Sequence, residues 1–187
     1  MEKWREDSKW RKRRNKLHSV ISLPISGSIL DQSSSDGQFL ELMHLSHPKL
    51  KLYGIDISKQ KIDEAKKECQ WGCFSEQSAY SLSFSNKTFD AIFCNMSFHH
   101  YDHPLKMLME SKRVMKDKGS IYVMDIFPKN KVSQFFYNLK GCNDDFHFEK
   151  YYTFNEINEL SRICKLVIHK ITLLTLFPRL MVIELKK

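Results

Sequence analysis

Strands and helices alternate along this chain over residues 28–126, and then the alternation stops. The apolar runs at 28–31, 50–56, 89–95 and 121–125 have strand length, and a weaker run lies near Cys73 and Phe74. Helical signals fill the gaps. Phe39, Leu40, Leu42 and Met43 recur at near-helical spacing before Pro48. Ser58 is placed to cap a helix with Ile62, Ala65 and Cys69 on its apolar face. Pro104 suits the first turn of a helix reaching about Met115, with Gly119 as its expected stop. The last third changes rhythm. Thr153 can cap a helix over 155–164, and runs at 166–174 and 179–185 then follow with only Leu176, Phe177 and Pro178 between them. A connection that short joins antiparallel strands, because a parallel pair needs a crossover of a dozen residues or more. The pattern predicts an α/β, doubly wound, mostly parallel sheet of seven strands that ends in an antiparallel hairpin.

The 187 residues suit a single domain, divided as an N-terminal helix (1–26), a ligand-binding core (28–126), and a lid-like segment, helix and hairpin (127–187). Hydrophobic residues make up 42% of the chain, enough for a core. No apolar run approaches the roughly 20 residues of a membrane span. The first residues, Met1-Glu2-Lys3-Trp4-Arg5, lack the apolar stretch of a signal peptide. The five cysteines form no CxxC pair, and Cys69 and Cys73 read as a helix face and its exit. Reduced thiols and a cytoplasmic location are therefore expected. The net charge is +8, and residues 9–16 hold six basic side chains in eight positions. That segment reads either as a patch for nucleic acid or anionic lipid or as the solvated face of the first helix.

In a doubly wound sheet the ligand lies beyond the carboxyl ends of the strands, where strand order reverses. The segments from Asp31 to Gly37, Asp56-Ile57, Asn95-Met96-Ser97 and Asp125-Ile126 fall there. Asp56 is the sharpest of these residues. It ends a strand 19 positions after Gly37, where an acidic group can grip the ribose hydroxyls of a nucleoside cofactor; the alternative is that it caps the helix begun at Ser58.

An ordered set of motifs carries a family resemblance. Ile29-Leu30-Asp31, Gly37, Phe39-Leu40 and Tyr53-Gly54-Ile55-Asp56-Ile57-Ser58 are followed by Ala79, Leu82, Phe84 and Phe89-Asp90. Then come Asn95-Met96-Ser97-Phe98-His99-His100-Tyr101, Pro104, Arg113-Val114-Met115-Lys116 and Gly119. Over 28–126 this series resembles the class I, Rossmann-like methyltransferases of the type 11 kind. The resemblance implies S-adenosylmethionine as cofactor and methyl transfer to a small-molecule acceptor. It implies that Asp31 supports the first loop, Asp56 holds the ribose, Ile57 and Ala79 lie by the adenine, and Asn95 lines the methionine end.

The chain departs from the family pattern in its first loop. Ser33 and Ser35 stand where the family has glycines, and Ser78 stands where an acidic residue usually precedes Ala79. A side chain forced into left-handed backbone costs roughly 1–2 kcal/mol. The serine loop therefore supports an alternative, a methyltransferase-like binding or regulatory module that has lost efficient cofactor binding. His99 and His100 are the candidate general bases or acceptor-orienting groups. His99 and His103 are four apart, but Pro104 starts the helix only after them, so no metal site is expected. The stretch 129–152, with Phe135, Phe136, Tyr137, Phe146 and Phe148, reads either as an acceptor-facing lid or as packing against the sheet edge.

Overall fold

The structure is a computed structural model and describes residues 8–141 and 149–187. Trp4, Cys142, Phe146 and Phe148 lie outside the described residues. The elements run α1 (Ser8–Val20), β1 (Gly27–Asp31), α2 (Gln38–Ser46), β2 (Leu50–Asp56), α3 (Lys59–Glu68), β3 (Cys73–Glu76) and β4 (Phe89–Asn95). They continue α4 (Pro104–Val114), β5 (Met115–Ile126), α5 (Lys131–Gly141), α6 (Phe154–Ile163), β6 (Val167–Thr175) and β7 (Leu180–Lys186). One sheet holds all seven strands in the order β3-β2-β1-β4-β5-β7-β6. β1 to β5 pair in parallel, and β7 runs antiparallel to both β5 and β6.

The period-two geometry of a strand explains why the central runs are so apolar. Ile29, Ala91, Phe93, Tyr122 and Met124 face one layer, with Leu17 of α1, Phe39 and Met43 of α2, and Ile62 and Ala65 of α3. Leu30, Ile92, Cys94, Ile121 and Val123 face the other, with Met107 and Leu108 of α4 and Ile157 of α6. A sheet covered on both faces needs apolar residues at consecutive positions. Burying one Leu or Phe side chain contributes about 1.5–3 kcal/mol.

Three local features follow the sequence closely. Ser58 accepts a hydrogen bond from the Lys61 amide. Thr153 and Glu156 form a complete capping box at the start of α6. The hairpin of β6 and β7 turns through 176–179. One expectation fails: Gly119 does not stop α4. The chain leaves α4 at Val114 and enters β5 at Met115, which pairs with Phe89, and Gly119 lies inside that strand. The register shifts between Phe89 and Ala91, so a bulge absorbs the polar residues after Met115. No helix among the described residues is long and apolar enough to cross a membrane. Lys12 and Lys16 of α1 are exposed, and the Lys16 ammonium donates to the Leu174 carbonyl.

Candidate active site

The chain leaves β1 for β2 on one side and crosses to β4 on the other, so strand order reverses between β1 and β4. Beyond the carboxyl ends of these parallel strands lie the β1 loop, Asp56, the 78–80 segment and the residues after Asn95, and a crevice is expected there.

The β1 loop keeps a tight turn. The Ser34 amide donates to the Ile55 carbonyl at 2.9 Å, and Gly37 closes the turn onto the Ser34 carbonyl at 2.8 Å. Gly37 has φ +85°, and an added Cβ would meet the Cys69 sulfur at 3.1 Å and the Phe74 ring at 3.2 Å. Ser35 has φ 48°, while Ser33 is not left-handed. Of the two serines in place of glycine, only Ser35 therefore carries backbone strain. Ser33 does something else: its hydroxyl lies 2.7 Å from the Tyr101 hydroxyl, which also donates to the Gln32 carbonyl at 3.2 Å. This contact joins the β1 loop to the residues following β4.

Asp56 answers both readings of its sequence position. One carboxylate oxygen accepts from the Ser35 amide at 3.0 Å and the other from the Ser58 amide at 2.9 Å. It ties the first loop to the start of α3 and stays half-buried. Each oxygen has two acceptor lone pairs, so capacity for ribose hydroxyls remains. Ile57 beside it is 77% exposed, on a surface an adenine ring can cover. Asp31 is buried and pushed up to about 7, first by burial, with the Asp56 charge adding and the Ser33 amide opposing.

The 78–84 segment is held from below. Arg113 donates to the Leu82 and Phe84 carbonyls, and Glu110 accepts from the Leu82 amide. Ala79 is buried. Ser78 accepts from the Tyr80 amide at 3.2 Å, so it shapes the turn where the family places a carboxylate. At the end of β4, the Asn95 Oδ1 is buried without a hydrogen-bond partner among the described residues. A buried acceptor left unmade costs about 1–3 kcal/mol, and a ligand donor would satisfy it.

His99 and His100 lie on a 3-10 turn, Phe98–His100, directly after β4. His99 is buried, and its Nδ1 lies 2.8 Å from the carboxylate of Asp125 at the end of β5. The same carboxylate accepts the His99 amide at 3.0 Å. Burial disfavours the imidazolium, but the Asp125 hydrogen bond and the charges of Asp125 and Glu149 outweigh it and raise the His99 pKa. Tyr151 stacks on the His99 ring at 4.7 Å. His103 sits apart, 59% exposed beside Asp102.

Sequence reasoning missed the pairing of His99 with Asp125, the Tyr101 contact, and Glu149. Asp125 was legible as a strand-end residue, but nothing in the sequence ties it to a histidine 26 positions earlier. The lid reading divides: Gln134 and Tyr137 of α5 face inward toward Tyr151, while Phe135 and Phe136 are each 60% exposed. Cys69 is buried and Cys73 exposed, both as free thiols.

A family model described as "Methyltransferase domain" matches residues 30–123, just over half of the chain. The chain belongs to this family of class I methyltransferases. Among similar proteins is the demethylmenaquinone methyltransferase of Thermotoga maritima, 28% identical over 167 residues, covering 83% of this chain and 72% of that protein. Another is the ubiquinone/menaquinone biosynthesis C-methyltransferase UbiE of Desulfotalea psychrophila, 29% identical over 67% of this chain and about half (51%) of its own length. Among solved structures, the YcgJ protein of Bacillus subtilis superposes with a TM-score of 0.77 at 21% identity, over 87% of this chain and 72% of that one. S-adenosylmethionine is the cofactor that this family and fold imply.

Proposed function

We propose that this chain binds S-adenosylmethionine in the β1–β4 crevice and transfers its methyl group to a small, hydroxylated ring acceptor of the quinol type. The single observation that carries the reading is Asp56, a half-exposed carboxylate at the end of β2 that also fixes the β1 loop. The residues fit the cofactor: Asp56 for the ribose, Ile57 and Ala79 beside the adenine, Ser78 shaping that wall, and the unpartnered Asn95 carbonyl toward the methionine end. Asp31, Ser33, Ser35 and Gly37 form the loop beneath it. When bound, the cofactor supplies an electrophilic methyl on a sulfonium. The acceptor class follows from the names of the two quinone-pathway relatives. His99, oriented by Asp125, and His100 line the acceptor side and orient its hydroxyl. Holding donor and acceptor in line accounts for much of such catalysis.

Titration calorimetry with S-adenosylmethionine and S-adenosylhomocysteine tests the reading. Asp56→Ala should weaken binding more than tenfold, since hydrogen bonds to charged groups contribute about 1.5–3 kcal/mol. Unchanged affinity would remove Asp56 from the site.

A second reading, a binding module without turnover, is favoured by the Ser33–Tyr101 contact across the crevice. Methyl transfer from labelled cofactor to a demethylated quinol separates the two: a module binds and does not turn over.

A further inference from the structure

We propose that His99, His100 and Glu149 form a binding site for one first-row divalent cation on the acceptor side of the crevice. Each of the three offers a ligand atom, and these atoms all lie within 4.8 Å of one another. An ion with ligands about 2.0–2.2 Å away holds them no more than about 4.4 Å apart, so small side-chain rotations bring the three atoms onto one ion. Two imidazoles and a carboxylate suit zinc, iron or nickel better than magnesium or calcium.

A second, independent observation lies behind the cluster. The Nδ1 of His99 is committed to Asp125 at 2.8 Å, and the backbone amide of His99 donates to the same carboxylate. This fixes the ring in two ways and leaves Nε2 as its metal-binding nitrogen. Metal-bound histidines almost always carry such a carboxylate or carbonyl on their other nitrogen. The stacked Tyr151 ring holds the imidazole plane. Charge points the same way: Asp125 and Glu149 converge on one buried imidazole, and a dication balances both.

Three protein ligands leave coordination positions open, as in catalytic rather than structural sites. An acceptor hydroxyl could take one of them, where the cation would polarise it and make the ring more nucleophilic. Only this use of the ion rests on the methyl-transfer reading; the binding site does not.

The test uses the full chain after chelator treatment and dialysis, titrated with zinc by calorimetry and with cobalt by absorption, in the absence of S-adenosylmethionine. The wild-type protein should bind one equivalent, and its cobalt form should show no thiolate charge-transfer band, which excludes Cys73 as the ligand. Glu149→Gln and His99→Ala should each weaken binding at least tenfold. Asp125→Asn should weaken it about 10- to 100-fold, because the His99 ring then loses the carboxylate that orients it. His103→Ala should leave it unchanged. Glu149 is half-buried, so its variant keeps the test decisive if the buried His99 variant fails to fold. No stoichiometric zinc binding, a thiolate band, or affinity unchanged in Glu149→Gln would overturn the proposal. Asp56→Ala, which probes the cofactor site, should leave zinc affinity intact, so the two readings fail separately.

Discussion

Asp31 holds its proton to about pH 7 in the folded chain and gives it up near 3.8 once unfolded. The folded state thus binds more protons between those values, and stability falls as pH rises from about 4 through about 7. A shift of this size corresponds to about 4 kcal/mol. Asp31→Asn keeps an oxygen for the Ser33 amide but cannot ionise. In urea unfolding, the variant should gain on the wild type between about pH 4 and pH 7; a gap independent of pH would show that Asp31 stays charged. The two loop serines also separate at this scale. Ser35→Gly relieves left-handed strain, whereas Ser33→Gly removes a hydroxyl that bonds Tyr101 and the Gln32 carbonyl. Ser33→Gly and Tyr101→Phe should therefore each tighten S-adenosylmethionine binding by about 0.5–1.5 kcal/mol. Their double variant should show no further gain, because both delete the same contact. Additive gains in calorimetry would mean that the contact does not gate the crevice.

The elements that could be read from sequence are those with local punctuation. Thr153 announces α6 through its capping box, Ser58 announces α3, and the three residues between the last runs announce a hairpin. The start of β5 could not be read. Met115-Lys116-Asp117-Lys118 is polar, and only pairing with β4 across a bulge makes it strand. The same limit hid half of the candidate site. Asp56 announces itself by its place after a strand and a glycine turn, but Glu149 reaches the histidines only through the return of the chain before α6, a tertiary fact with no local signature. The capping box also carries a prediction. Despite its burial, Glu156 is pulled down to about 2, by Lys131, by Thr153 and by Gln134. Its contribution is present above its ordinary pKa and is lost as pH falls from about 4.5 toward 2. Glu156→Gln should cost roughly 1 kcal/mol near neutral pH, typical of a lost cap, and should speed amide exchange in α5, which Glu156 holds through Lys131 and Gln134. Unchanged exchange would show that α5 is held elsewhere.

The whole molecule is set by one reversed strand. Five parallel strands point their carboxyl ends at the crevice, and β6 does the same; β7 alone returns. Its first residue, Leu180, pairs with Ile126 beside the site, while the Lys187 ammonium donates to the Met115 carbonyl at the far end of β5. A tether attached after Lys187 therefore leaves from the side opposite the crevice. Protein immobilised on a sensor chip through that end should show the same cofactor affinity as protein free in solution, with the mouth turned to the flow. Attachment at the 176–179 turn, where Phe177 is 94% exposed at the same end of the sheet as the crevice, should turn the mouth toward the chip and slow ligand entry instead. One antiparallel strand thus gives the molecule a handle and a working face on opposite poles.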